Sequence, residues 1–512
     1  MDSNNSKFSV IKNTLMICAL SLASQYAMAG DYKDKTESSS TKAQNNQQLV
    51  NPPMDCNEDD FKTVTAMFPH STTKEPDNLG FQSSTICEFN VWSWQMFLWL
   101  TQEDSNGDAR FLNFETPYDV LNIESREVLK PNTGHNPFDE TVQAGPDGIL
   151  VDQNGNVVYY SQYLNPTYTQ FIKDNNLTDP KAVQAFNANT SFPVNTLELK
   201  ASWRIVEEGE NVDNFFTIEH EIYGLKQKGS QFVIDVNNIR KEKLALVGFH
   251  IGGVVKGHPE MIWATFEHVK NSPYVTANFT PKTVVADAES GDYTFFDTNP
   301  PKSKPQLTNT YASCNKNYVN SPYMTLNKNT QKMQPVTQVC LQYQYGNVAD
   351  YNLSKTDSVN KAIQASINTS TNILGYLNQY AQVQLNQEKD VWANYRQIGS
   401  IWFKATNALI PNQTFADDFI NEKILAKLKQ NNSKTKKKVG DQFLIGSLAL
   451  SNSTIETYTQ FASAENNCFR CHNTEQRLLG AELAPLKPMN INISHAFVNM
   501  YTWAQEIAAK KN

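Results

Sequence analysis

Residues 197–205 alternate apolar and polar side chains with a period of two, the pattern of a β-strand with one buried face. Residues 231–236 are a short strand candidate, 244–255 form a long β-branched run that contains glycines, and 261–269 have the composition of another strand. Together these segments predict one largely antiparallel sheet or sandwich. Residues 273–345 contain scattered Pro, Asn and Thr, which predicts loops with short strands.

The spacing of apolar residues becomes helical after residue 350. One face of the predicted helix is formed by Leu374, Leu377, Ala381 and Leu385. An aromatic-rich segment, 392–403, follows this helix.

Two further helices are predicted near the end of the chain. Ser453 and Glu456 have the spacing of a capping box, which predicts the start of a helix. Ser494 is placed to cap the last helix. The apolar face of that last helix is formed by Phe497, Met500, Ala504 and Ile507.

Residues 91–100 are the most apolar part of the chain after its N-terminal region and contain three tryptophans. Most of this segment is predicted to be core. A buried helix fits it slightly better than a strand, although periodicity does not separate the two.

The chain has 512 residues, a length that predicts two or three domains, and its 40% hydrophobic content can fill a sizeable core. The formal net charge is −8. A surface that binds phosphates needs positive charge, so this balance gives no global attraction to nucleic acid or to an anionic membrane.

The first 29 residues have the pattern of an export signal. Two lysines precede an apolar run over residues 14–23, and Ala-Met-Ala at 27–29 is a small-x-small cleavage site. This run is too short for a stable bilayer anchor. We therefore predict a cleaved signal peptide, no stable membrane span in the mature form, and a periplasmic location. Residues 30–53 are polar and are predicted to form a flexible tether.

Six cysteines lie beyond the predicted signal, and two of them belong to the motif described next. The other four allow three pairings, among which sequence does not choose. Short loops and an oxidising compartment favour Cys56–Cys87 and Cys314–Cys340. Isolated buried thiols are the alternative.

Residues 468–472 read Cys-Phe-Arg-Cys-His, the form of a c-type haem attachment site. Cys468 and Cys471 would each form a thioether to a haem vinyl group, and His472 would ligate the iron. A zinc site would need two more ligands in a matching pair, and there is no second CxxC. A disulfide or redox-active CxxC is the remaining alternative. We predict one covalently attached haem c per chain.

The second axial ligand of the iron has three candidates downstream of His472. His495 would lie in the first turn of the last helix, and it is the candidate we favour. Met489 follows a proline in an extended segment and is the alternative. Met500 lies on an apolar helix face, where core packing is the expected role. A position without a protein ligand also stays open, and it would permit chemistry on a small molecule.

Four of the eight histidines are concentrated within fifty residues, namely His220, His250, His258 and His268. On adjacent strands these imidazoles could converge with carboxylates such as Glu260 on a metal or near a substrate. The alternative, which we favour, is that His250 and His268 are satisfied sheet histidines and that residues 256–259 form a hairpin, because no tight spacing such as HExxH is present.

The sequence resembles bacterial exported cytochrome c family proteins. The resemblance rests on residues 92–97, on residues 256–268 (KGHPEMIWATFEH) and on residues 453–458 leading into the CxxCH motif. It covers most of the chain after the signal. It implies haem binding and electron transfer in the cell envelope, and it implies no substrate.

These observations predict an α+β protein. A β-rich domain at 54–350 precedes a helical region at 351–512, with a haem module at about 440–512. The favoured function is electron transfer to and from a periplasmic redox partner protein. A haem-dependent oxidoreductase or peroxidase-like enzyme, and a partner- or glycan-binding module with structural haem, are the alternatives. A lysine-rich stretch at 423–438 would be either a docking patch for an acidic partner or a solvated loop.

Overall fold

The computed structural model describes most of the chain beyond residue 55. The described residues are 56–81, 85–123, 141, 144, 148–275, 279–303, 307–319, 322–342, 358–403, 409–412, 450–460, 468–479 and 482–511. The predicted signal peptide (1–29), the predicted tether (30–53) and the lysine-rich stretch (423–438) lie outside them.

An antiparallel sheet of six strands is the centre of the part of the chain that the structure describes. Its six strands are β1 (Tyr159–Leu164), β2 (Leu197–Ile205), β3 (Thr217–Lys228), β4 (Gln231–Val255), β5 (His258–His268) and β8 (Tyr395–Ile401). Strands β6 (Thr325–Leu326) and β7 (Met333–Gln334) form a separate two-stranded sheet. The order in the sheet is β1-β2-β4-β5-β8, and β3 pairs with β4.

The helices lie before, between and after these strands. They are α1 (Glu58–Ala66), α2 (Ile86–Thr101), α3 (Pro117–Val120), α4 (Pro166–Asp174), α5 (Pro180–Ala185), α6 (Ser358–Glu388), α7 (Cys468–Cys471) and α8 (His495–Lys511). The α+β class with a large antiparallel sheet is therefore confirmed. Among the residues that the structure describes, no helix is long and apolar enough to cross a bilayer.

Strand β4 is longer than predicted, because the segments at 231–236 and 244–255 belong to one strand of 25 residues. The residues between them are mostly polar, and none of them is buried, so the apolar pattern is interrupted there. Strand β3 nevertheless pairs along this polar part, with Ile222 opposite Arg240 and Glu219 opposite Lys243. Hydrogen bonding to a neighbouring strand therefore keeps these residues in the strand conformation although their side chains are not buried.

The tryptophan-rich segment is helix α2, as favoured from the sequence. Thr85 and Glu88 form a capping box at its start. The helix packs on α6 and on strands β5 and β8. The Phe97 ring stacks on Phe266 of β5 with 4.1 Å between ring centres. This layer of helices covers one face of the sheet.

The predicted apolar face of α6 is confirmed, since Leu374, Leu377, Ala381 and Leu385 are all buried. The residues that follow it contribute β8, which pairs with β5. Most of β8 is buried, so its sequence lacks a clear polar–apolar alternation. The same sheet thus has strands on both sides of residue 350, and the described residues belong to one compact unit.

The other face of the sheet is covered by residues 450–460, α7 and α8. Residues 453–459 form turns and a bend, so the helix predicted from Ser453 is not present there. Ser453 does not cap a helix because its hydroxyl donates to Glu267 of β5 over 2.7 Å. Asn452 accepts from the backbone N–H of Thr454 and Ile455 instead.

Candidate haem-attachment site

The two cysteines of the CxxCH motif lie on one helical turn, α7, and both are free thiols. His472 continues the turn, with its N–H donating to the Cys468 carbonyl over 2.8 Å. Burial is the main effect on the pKa of Cys468 and raises it well above its usual value, which keeps the sulfur protonated. Cys471 is exposed.

The other four cysteines form two disulfides, Cys56–Cys87 and Cys314–Cys340. Both favoured pairings are therefore confirmed. Each bond joins segments that are close in the chain, with sequence separations of 31 and 26 residues. The pairing leaves the thiols of the CxxCH motif unbonded.

The imidazole of His472 is held by one backbone carbonyl. Its Nδ1 lies 2.7 Å from the oxygen of Ile493, and a carbonyl only accepts, so Nδ1 carries the hydrogen. The lone pair is then on Nε2, the tautomer of a metal-ligating histidine whose other nitrogen donates to a carbonyl. Burial, and next the neighbouring His495, hold the pKa of His472 well below its usual value.

Trp263 of β5 packs against the His472 ring, with 3.8 Å between ring centres and 35° between ring planes. Its indole lies over Gly252 of β4, where a Cβ would come within 2.7 Å of the ring. Glycine is therefore needed at this position for the indole to lie close to the strand. The indole N–H donates to the Glu260 carbonyl over 3.3 Å.

His495 lies against His472, stacked with 3.8 Å between ring centres and 18° between planes. Its Nε2 donates to the Cys471 carbonyl over 3.1 Å. Histidines on opposite sides of one iron would have ring centres about 6 Å apart, given metal–nitrogen bonds of about 2 Å. His495 as the sixth ligand stays a prediction, and it requires this ring to leave the stack.

The final helix has the predicted start, and Phe497, Met500 and Ala504 of its predicted apolar face are buried, whereas Ile507 is partly exposed. Ser494 caps α8 by accepting from the Phe497 N–H over 3.1 Å. Met489 and Met500 are both buried in the hydrophobic cluster that contains Phe469 of the motif. Core packing is thus confirmed for Met500, and Met489 has the same kind of surroundings.

Glu198 of β2 was not singled out from the sequence, although it lies at this site. It is buried, and it accepts from the Ala496 N–H in the first turn of α8 over 3.2 Å. Burial raises the pKa of its carboxyl. The alternation in β2 places Glu198 on the polar face of that strand. The start of α8, almost 300 residues later in the chain, covers this part of the face.

The four clustered histidines do not converge. His258 lies 2.8 Å from Glu260 in the core, and His250 lies 2.7 Å from Glu456. His220 is partly exposed on β3, with Nδ1 2.8 Å from the Glu221 carbonyl. In His268, Nε2 donates to the Asn214 carbonyl (2.9 Å) and Nδ1 accepts from the Lys270 N–H (3.1 Å), so neither nitrogen is available to a metal.

A metal-binding arrangement of His, Cys, Asp and Glu occurs once among the described residues, at Cys56, Asp60 and Cys87. Both sulfurs of this group are consumed by the disulfide. His268 is thus a satisfied sheet histidine, as the favoured alternative holds, whereas Nε2 of the buried His258 has no hydrogen-bond partner among the described residues. By contrast, two free thiols on one turn and an imidazole with an unprotonated Nε2 are a donor set that fits a covalently bound haem.

Comparison with protein-family models, with curated proteins and with solved structures gives no match. The resemblance to exported cytochrome c family proteins therefore stays a prediction from the motif and its neighbouring residues.

Proposed function

We propose that this protein is a periplasmic electron-transfer protein with one haem c attached at Cys468 and Cys471. The observation that carries the proposal is the arrangement of His472 beside the two free thiols, with Nδ1 donating to Ile493 and Nε2 left as the ligand atom. When bound, the haem iron would alternate between ferric and ferrous states and carry one electron at a time.

The chain's own residues have defined roles in this proposal. The cysteines tether the cofactor, and the Ile493 carbonyl holds the imidazole in the ligating tautomer. Trp263 packs on one face of the His472 ring and limits its rotation. His495, which stacks on the other face in this structure, would leave the stack to become the sixth ligand. Two disulfides elsewhere in the chain suit an oxidising compartment, in agreement with the predicted export signal.

Haem attachment is tested by expressing the full chain with a periplasmic haem-maturation system. Wild-type protein should keep haem stain after denaturing electrophoresis and should gain the mass of one haem. Cys468→Ala with Cys471→Ala should lose both signals. The matched control is Cys314→Ala with Cys340→Ala, which removes another cysteine pair and should keep the stain. Staining of the first double variant would overturn the attachment site.

Electron transfer is separated from the oxidoreductase alternative by optical spectra in both redox states. A low-spin iron that binds neither cyanide nor carbon monoxide readily is expected, because both axial positions would be filled. A high-spin iron that binds carbon monoxide at once would reject electron transfer as the sole role and favour an enzyme acting on a small molecule.

A further inference from the structure

A polar cavity of about 410 Å³ opens at the end of the sheet face where β2 finishes. Its volume is within the range of about 300–1,000 Å³ that is typical of small-molecule sites. We infer that this cavity binds a neutral polyhydroxylated small molecule, of the saccharide class. The residues that carry the inference are Asp152, Arg204, Asn214, Lys270, Asp292 and Tyr293.

The cavity is separate from the haem-attachment site. Glu198 and Arg204 lie on the same strand six residues apart, which corresponds to about 20 Å at about 3.3 Å per residue. Glu198 contacts the start of α8, whereas Arg204 lines the cavity. Ligand binding in this cavity therefore does not depend on the proposed haem, and an experiment can reject either proposal without rejecting the other.

The charged side chains of Arg204 and Asp152 are buried and form a rigid part of the cavity wall. Arg204 is 3% exposed, and its guanidinium donates twice to Glu210, over 2.9 and 2.6 Å. It lies 4.6 Å above the ring of Phe215. The Nε of Arg204 has no hydrogen-bond partner within the described blocks. A buried donor without a partner costs free energy unless water or a ligand satisfies it.

Asp152, 1% exposed, is the second fixed charge. It accepts from the backbone N–H of Asn154 and Asn156 over 2.9 and 2.8 Å. These bonds fix the carboxylate without help from a ligand. The Arg204–Glu210 pair and Asp152 thus form a part of the wall that does not have to reorganise on binding, which lowers the entropy cost.

The outer part of the wall adds both kinds of hydrogen-bonding group. Lys270 and Asp292 are exposed, and neither side chain forms an ion pair with another described residue. The ring of Tyr293 is half-buried, with Phe296 packed on it edge-on at 6.4 Å. An aromatic ring beside polar groups provides a flat apolar surface for one face of a ligand.

The charges disfavour anions and metal ions. Asp152, Glu210, Asp292 and Asp297 outnumber the two cations, so an anionic ligand would be repelled. These carboxylates do not come close enough together to hold a metal ion. A hydroxyl both donates and accepts, so a polyol matches Asn214, Lys270 and Asp292 together, whereas an amine satisfies only the acceptors.

The test uses the purified full chain and ligand-observed NMR with glucose, galactose, N-acetylglucosamine, maltose and chitobiose. At least one of these sugars should bind, and Asp292→Asn and Lys270→Met should each weaken its binding at least ten-fold. Glu289→Gln is the matched control, since Glu289 is exposed nearby but does not line the cavity. This variant should bind as the wild type does.

Three outcomes would overturn the inference. No binding by any of the five sugars would reject the saccharide class. Binding that is unchanged in both cavity variants would place the sugar elsewhere. Tighter binding of putrescine than of every sugar, lost in Asp292→Asn, would assign the cavity to organic cations. Circular dichroism spectra of the variants establish that each one is folded.

Discussion

The indole of Trp263 lies 3.8 Å from the imidazole of His472, measured between ring centres. Trp263 is on β5 and is 6% exposed, so one face of the proposed iron ligand rests on the rigid sheet. The opposite face is covered by His495. The orientation of the His472 ring is therefore set by elements from distant parts of the chain.

The first prediction concerns Trp263 as a positioning residue for His472. Trp263→Ala should destabilise the protein by about 3–5 kcal/mol because it leaves a cavity. In the haem-loaded protein it should also change the ferric electron paramagnetic resonance spectrum and the reduction potential, since the ligand ring would rotate. Trp263→Phe keeps an aromatic contact and should restore most of both readouts.

Trp402→Phe is the control for a buried tryptophan, because Trp402 stacks on Phe89 instead, at 4.2 Å. It should alter stability but not the resonance spectrum. If Trp263→Ala lowers stability and leaves the spectrum and potential unchanged, Trp263 has a packing role only.

The second prediction addresses the sixth ligand. In the haem-loaded protein, His495→Ala should convert a low-spin ferric iron to high-spin and let carbon monoxide bind readily. Met489→Ala should leave the spectrum unchanged. It should lower the free energy of unfolding by about 2–5 kcal/mol, because Met489 is fully buried in the core.

Met500→Ala is a matched control for the loss of a buried methionine, and it should resemble Met489→Ala in both spectrum and stability. The reverse pattern, with a high-spin iron in Met489→Ala and a low-spin iron in His495→Ala, would transfer the ligand role to Met489.

The third prediction concerns the Cys56–Cys87 disulfide, which links the start of α1 to α2. Removing a disulfide that closes a loop of this length raises the entropy of the unfolded chain. Cys56→Ala with Cys87→Ala should lower the free energy of unfolding by about 2–4 kcal/mol in urea titrations. A reductant should lower the stability of the wild type and have a smaller effect on this variant. Equal sensitivity of both proteins would contradict the assignment.

The fourth prediction is a pH dependence that arises from His268. Burial lowers the pKa of His268 to about 3, so the folded protein keeps this ring neutral while the unfolded chain takes up a proton below about 6.5. This stabilisation is complete above pH 6.5 and is lost as the pH falls toward 3, and the whole change in the free energy of unfolding is about 5 kcal/mol. Asn214, whose carbonyl accepts from the ring, opposes this shift only in part.

The measurement compares wild type with His268→Gln by urea unfolding at pH 7.0, 5.5 and 4.5. The stability difference between them should shrink as the pH falls, because only the wild type carries the titrating ring. His220→Gln, at a partly exposed position of β3, is the control and should give a constant difference. A constant difference for His268→Gln as well would reject the assignment.

Local features of the fold followed from the residue pattern alone. Strand β2, the apolar face of α6 and the Ser494 cap of α8 are all present as predicted, although both faces of β2 are buried. The two disulfides are also those favoured by short loops. Each of these features depends on residues that are close in sequence, so spacing and side-chain type are sufficient to specify it.

The prediction from Ser453 and Glu456 failed for a nonlocal reason. The spacing suits a capping box, but the Ser453 hydroxyl bonds Glu267 of β5 and Asn452 caps the turn instead. Strand β8 was not predicted as a strand either, because nearly all of its residues are buried and its sequence lacks a simple alternation of polar and apolar residues.

For the candidate site, the sequence alone determined the CxxCH motif, with two cysteines and a histidine held by their spacing to one turn. Only the tertiary structure decided that Trp263 contacts His472, that Glu198 meets the start of α8, and that the four strand histidines stay apart. The physical reason is that spacing specifies what a short segment presents, whereas its partners depend on how distant segments pack on the two faces of the sheet.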